Sequence, residues 1–97
     1  MKIIWSPLAI DRVIEIASYI AQDDAIASEK WVCSLFEKVK RLEKFPDSGR
    51  VVPETRRKDI REIVFGNYRI IYRIEEAKVS ILTVRHGKQV LPNNDIK

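Results

Sequence analysis

Hydrophobic and polar positions along the chain change period twice. Ile3-Ile4-Trp5 is a short apolar run of β-favouring residues, which predicts a strand over 2–5. Ser6-Pro7 follows as a helix start: the serine hydroxyl can accept from free backbone N–H groups, and proline at the first helical position forfeits no hydrogen bond. Ile10, Val13, Ile14, Ala17 and Ile20 then recur at helical spacing, predicting a helix over 7–22. Gln22-Asp23-Asp24 interrupts the pattern, and an aspartate there can cap a second helix over 24–44. Trp31, Val32, Leu35, Phe36, Val39 and Leu42 form its stripe; Lys30, Glu37, Lys38, Lys40, Arg41 and Lys44 are the polar, mostly basic remainder. So short a break between amphipathic helices predicts an antiparallel helical hairpin.

After a loop over 46–58 the period falls to two, predicting strands over 59–65, 68–75 and 78–85. Gly66-Asn67 reads as a two-residue hairpin turn, pairing Phe65 with Tyr68, Val64 with Arg69, Ile63 with Ile70 and Arg61 with Tyr72. Ile63, Phe65, Tyr68, Ile70, Tyr72 and Ile74 then share a face that the helices should cover. Glu62, Val64, Arg69, Ile71 and Arg73 share the other, joined by Leu82, Val84 and His86 if the last strand pairs in simple register. The expected fold is one α+β domain over 1–97, of order β-α-α-β-β-β, with the N-terminal strand, the hairpin and a three-stranded antiparallel meander whose one face carries the helices. Apolar residues on the uncovered face, Val64, Ile71, Leu82 and Val84, imply that a partner covers them.

Charge narrows the partners. Eighteen lysines and arginines against fourteen acids give a net charge of +4 and a pI of about 9.4, which favours anionic partners. One cysteine, Cys33, excludes an internal disulfide and reads as a small core residue. With one histidine, one cysteine and no glycine-rich phosphate loop, no metal site or cofactor is expected. The first residues do not form a signal peptide and no run is long enough to span a membrane, so the expected location is cytoplasmic.

The available groups suit metal-free RNA cleavage, in which a 2′-hydroxyl loses a proton, the leaving oxygen gains one and cations stabilise the phosphorane. Arg61, Arg69, His86, Lys88 and Glu54 are the candidate catalytic residues; Glu62 could also exchange protons. Arg50, Arg56, Arg57, Lys58, Arg73 and Arg85 are candidates for nucleic-acid or partner contact. The same residues admit plainer roles: Arg69 and Arg73 can pair with Glu62 across the sheet, Arg61 can pack beside Tyr72, His86 can be a structural strand-end residue, and Arg56-Arg57-Lys58 can be a solvated loop. Trp31 is expected in the core or at a helix contact for a partner.

Trp5-Ser6-Pro7-Leu8-Ala9, the segment Phe45-Pro46-Asp47-Ser48-Gly49-Arg50-Val51-Val52-Pro53-Glu54, Ile60-Arg61-Glu62-Ile63 followed by Tyr68-Arg69-Ile70-Ile71-Tyr72-Arg73, and Leu82-Thr83-Val84-Arg85-His86-Gly87-Lys88 together resemble the RelE/ParE superfamily of toxins from type II toxin–antitoxin systems. The resemblance spans nearly the whole chain. It implies a cognate antitoxin that wraps and suppresses the toxin. RelE-like members cut mRNA in the ribosomal A site, and Arg69 matches a phosphate-binding arginine of that branch. ParE-like members poison DNA gyrase and are not enzymes, and the long helical hairpin resembles theirs. The closely spaced lysine pair of well-known RelE nucleases is replaced by Arg61-Glu62-Ile63, and Gln89 follows Gly87-Lys88. The ribosome-dependent nuclease is the reading taken forward, with a gyrase inhibitor and a degenerate toxin that keeps only antitoxin binding as alternatives.

Overall fold

A computed structural model describes residues 1–87, 91 and 95. Strand β1 (Lys2–Trp5) leads into helix α1 (Pro7–Asp23), and helix α2 (Ala25–Lys40) follows after one residue. Both caps form as the sequence predicts. The Ser6 hydroxyl accepts from the Ala9 amide at 3.1 Å, and the Asp24 carboxylate accepts from the Ile26 and Ala27 amides at 3.0 Å. Helix α2 stops four residues earlier than the periodicity suggests, tightening into a 3₁₀ turn at Arg41–Glu43, with a second such turn at Pro46–Ser48. Strands β2 (Arg50–Val51), β3 (Ile60–Phe65), β4 (Tyr68–Ile74) and β5 (Lys78–His86) complete the described elements.

Among the described residues the strands form one sheet of order β1-β5-β4-β3-β2, antiparallel except that β1 runs parallel to β5. A parallel neighbour is possible here because the helical hairpin provides the crossover back over the sheet. Strand β2 lies within the loop expected over 46–58; with two residues it is too short to show alternation. The β3–β4 register is the expected one, Phe65 opposite Tyr68 through Arg61 opposite Tyr72, around Gly66 at φ 58°.

The register of β5 corrects the expected face assignment. Ile71 lies opposite Thr83 and the next residue, Tyr72, opposite Ile81, so Leu82 is an extra residue on β5. This bulge reverses the alternation beyond it. Val84 therefore pairs with Ile70 and joins the helix-side core, and His86 pairs with Tyr68, whereas Thr83 and Arg85 pair with Ile71 and Arg69. Val84 and His86 do not share a face with Arg69.

The helix-side core gathers Ala9, Val13, Leu35, Val39 and Leu42 against Ile63, Ile70, Tyr72, Ile81 and Val84. Trp31 packs half-buried with its ring centroid 5.5 Å from that of Tyr68 and 6.0 Å from that of Phe65. Cys33 is exposed rather than in the core: it stands about 200° around the helix from the buried Leu35. Ile14 also points outward. A second cluster forms on the other face, where Ile60, Ile71 and Leu82 are covered by Val52 from the loop and by Leu91. Of the four apolar residues expected to await a partner, only Val64 remains exposed, at 56%; Ile71, Leu82 and Val84 are buried by the chain itself.

Candidate functional site

The polar centre of the molecule lies on the face opposite the helices. Arg69 on β4 and Glu62 on β3 stand on adjacent strands, with Glu62 opposite Ile71 and Arg50 of β2 opposite Glu62. The Glu62 side chain is fully buried and that of Arg69 is 8% exposed, so each charge requires a partner. Arg69 Nε donates to Glu62 Oε1 at 2.8 Å and its Nη2 to the same oxygen at 2.6 Å. The second Glu62 oxygen accepts from Arg50 Nε at 2.6 Å. The loop before β3 returns Glu54 to the other edge of the guanidinium: Arg69 Nη1 and Nη2 donate to its two oxygens, each at 2.9 Å. The Leu91 amide also donates to Glu54, at 3.2 Å. Two arginines and two glutamates thus alternate as Arg50–Glu62–Arg69–Glu54, a neutral chain of charge-assisted hydrogen bonds.

This geometry shifts the titration of Glu54 and Arg69. The hydrogen bonds from Arg69 hold the Glu54 carboxyl down at about 2, against an ordinary value of 4.5. The bonds to Glu54, reinforced by those to Glu62, raise the Arg69 guanidinium above its already high ordinary value. A carboxylate this acidic is a weak base at neutral pH, and general-base catalysis works best with a pKa near the working pH. Phosphate binding would also require Arg69 donors that here point at two carboxylates.

The other sequence candidates are dispersed. Arg61 lies in register with Tyr72 and donates to main-chain carbonyls, from Nε to Lys58 at 3.1 Å and from Nη1 to Gly49 at 2.9 Å. His86 packs edge-on against Tyr68, with centroids 5.9 Å apart. It borders two hollows at the end of the sheet. One of about 230 Å³ is lined by Arg50, Val64, Asn67, Arg69 and Gly87; another of about 420 Å³ is lined by Arg12, Tyr19, Tyr68 and Arg85. Arg57 pairs with Asp59 at 2.7 Å, Arg73 lies 4.0 Å from the same aspartate, and Arg85 pairs with Asp95 at 3.0 Å. Arg56 and Lys58 are exposed in the loop, Arg56 at a left-handed φ of 55°. Lys88 lies outside the described residues.

The sequence reading missed a second polar knot. Tyr72 is fully buried, donates its hydroxyl to the Pro46 carbonyl at 2.7 Å and accepts from the Gly49 amide at 3.0 Å. Burial pushes this phenol above its ordinary range. The knot ties the loop start to the sheet and so positions Arg50 and the turn that carries Glu54. Phe45-Pro46-Asp47-Ser48-Gly49 signalled a turn, but no local pattern shows that a tyrosine 23 residues past Gly49 fastens it.

The model of the family described as "ParE toxin of type II toxin-antitoxin system, parDE" matches residues 3–91. The chain belongs to the ParE toxin family. It is similar to a Sinorhizobium fredii protein named "Putative toxin Y4kP", at 39% identity over 93 residues, 94% of this chain and 93% of that protein. Its fold is that of a solved chain from the "Chromosomal ParDE TA system from P. aeruginosa", at a TM-score of 0.74 over 89% of this chain and 95% of the other, with 19% identity. By its family, this chain is the toxin of a type II module, with a cognate antitoxin as its partner. Among its described residues no group of three histidines, cysteines or acids could hold a metal ion, and no helix is long and apolar enough to cross a membrane.

Proposed function

We infer that this toxin arrests growth by binding DNA gyrase and not by cutting mRNA. The observation that carries the reading is the capture of Arg69 by Glu54 and Glu62. A nuclease working without a metal needs an open cation for the phosphorane and a base that titrates near neutrality. Arg69 and Glu54 supply neither, and Arg61 is bonded to carbonyls elsewhere. An internally neutral, rigid cluster suits a binding protein, whose work is to present a fixed surface.

One observation favours the ribosomal nuclease as a second reading: the hollow of about 230 Å³ brings Arg50, Arg69 and His86 to one rim. Induction of the chain alone in bacteria separates the two. The binding reading expects thymidine incorporation to fall within minutes while methionine incorporation holds, and purified toxin to inhibit gyrase supercoiling. His86→Gln should then leave growth arrest intact. A prompt fall in methionine incorporation, with new mRNA ends on ribosomes and a loss of about 100-fold or more in cleavage on His86→Gln, would reject gyrase as the target.

A further inference from the structure

The charges of this chain are arranged unevenly. The arginines at 12, 50, 57, 69, 73 and 85 each have a carboxylate within 4.0 Å. No described lysine forms an ion pair, nor do Arg41, Arg56 and Arg61; what sets the end of α2 apart is the density of such cations. Lys38, Lys40, Arg41 and Lys44 crowd a seven-residue stretch, and among the described residues no ion pair involves any of them. Glu37 and Glu43 lie in the same region without reaching salt-bridge distance, leaving four cations against two acids. Beside them Phe45 is 63% exposed. Arg41 and Phe45 form a shared wall between two hollows, one of about 490 Å³ that also touches Lys38 and Ser48, the other of about 240 Å³ that also touches Lys40 and Lys44.

We propose that this end of α2 is a single-stranded nucleic-acid contact, in which Lys38, Arg41 and Lys44, at three-residue spacing along one side, hold successive phosphates and Phe45 stacks on an unpaired base. From Lys38 through the 3₁₀ turn to Lys44 the rise is roughly 10 Å, enough for extended side chains to meet two or three neighbouring phosphates. Unpaired cations release condensed counterions when they meet a polyanion, whereas cations already bonded to carboxylates do so far less. An aromatic ring exposed among such cations is the other half of a strand-binding surface, since every base offers a face to stack on. An isolated helix-dipole role covers only part of the set, because Arg41 and Lys44 lie past the last helical residue. The inference stands apart from the choice of gyrase or ribosome as target.

The test is fluorescence anisotropy of the full chain with a labelled 12-nucleotide oligo(dT) between 50 and 200 mM salt. The expected slope of log affinity against log salt is about −2, from three cations at about 0.7 each. Exchanging Lys38, Arg41 and Lys44 together for glutamine should remove most of that slope. Phe45→Ala should weaken binding about tenfold and leave the slope unchanged. Arg57→Gln, which removes an exposed but paired arginine, should leave the slope unchanged. The proposal is overturned if the oligonucleotide does not bind at 50 mM salt, or if the triple exchange keeps the original slope while circular dichroism shows it folded. It is likewise overturned if polyglutamate or vesicles of anionic phospholipid bind this surface and the oligonucleotide does not.

Discussion

Two basic regions of this molecule look alike in composition and differ in what their charges do. On the face opposite the helices, Arg50 and Arg69 alternate with Glu54 and Glu62, and their guanidinium donors point at carboxylates. At the end of α2, Lys38, Lys40, Arg41 and Lys44 have no ion pair among the described residues and stand beside an exposed phenylalanine. Basic residues therefore mark function poorly by number alone. At Arg69 burial decides: a cation taken out of water requires a partner, which then competes with any ligand, whereas a solvated cation remains open to polyanions.

The largest expected effect is at Glu62. Glu62→Ala removes the carboxylate that Arg50 and Arg69 share and leaves a buried guanidinium short of its partner. A loss of about 3–5 kcal/mol is expected, measured by urea denaturation, with Glu62→Gln between it and the parent. A change below about 1 kcal/mol would break the contrast, since the cluster would then not be holding the sheet together.

Gly49→Ala comes next. A methyl group there would strike the Tyr72 hydroxyl and lie 2.6 Å from the Glu62 carbonyl oxygen, and neither the buried ring nor the strand backbone has room to move. The cost should be about 1–3 kcal/mol. Tyr72→Phe should cost less, about 1 kcal/mol, by removing the hydroxyl that meets Pro46 and Gly49. If Gly49→Ala is as stable as the parent, the loop is not fastened at this point and the placement of Glu54 needs another cause.

The two regions were unequally legible in the sequence. Helix caps, the two-residue turn and the β3–β4 register follow from local rules, and they stand as read. The open sheet face did not, for two reasons. Alternation carries the register of β5 only until a bulge, and nothing in Ser80-Ile81-Leu82-Thr83 announces the extra residue. The cover of Ile71 and Leu82 comes from Val52 and Leu91, each in an apolar pair whose neighbours show no period. Pairing of Arg69 with Glu62 was one of two readings left open, since adjacent strands fix proximity but not whether donors remain for a ligand. The second carboxylate, Glu54, arrives from an irregular loop, where spacing carries no geometric information.

Acid should act on the sheet cluster through Glu54. Its folded pKa, about 2, lies below the ordinary 4.5, so the unfolded chain binds the proton more readily. The contribution is fully present above about pH 4.5 and is lost as pH falls toward 2. Urea midpoints measured across this window should fall with pH, and Glu54→Gln should flatten that limb. A Glu54→Gln profile parallel to the parent would place the acid sensitivity elsewhere and weaken the case for a sealed Arg69.

The smallest expected effect sharpens the contrast most. If the cations at the end of α2 are not part of the fold, removing one should cost no more than its share of the helix dipole. Lys44 lies beyond the last residue of α2 and outside the following turn at Arg41–Glu43, so it gains little from the helix dipole. Lys44→Gln should leave stability within about 0.5 kcal/mol of the parent. Lys40, in the last turn, should lose about 0.3–1 kcal/mol at low salt, a difference that added salt removes. Thermal denaturation at low and moderate salt distinguishes these cases. A loss above about 1 kcal/mol for Lys44→Gln, undiminished by salt, would show that this cation is held as firmly as Arg69, and the two regions would then differ in position but not in kind.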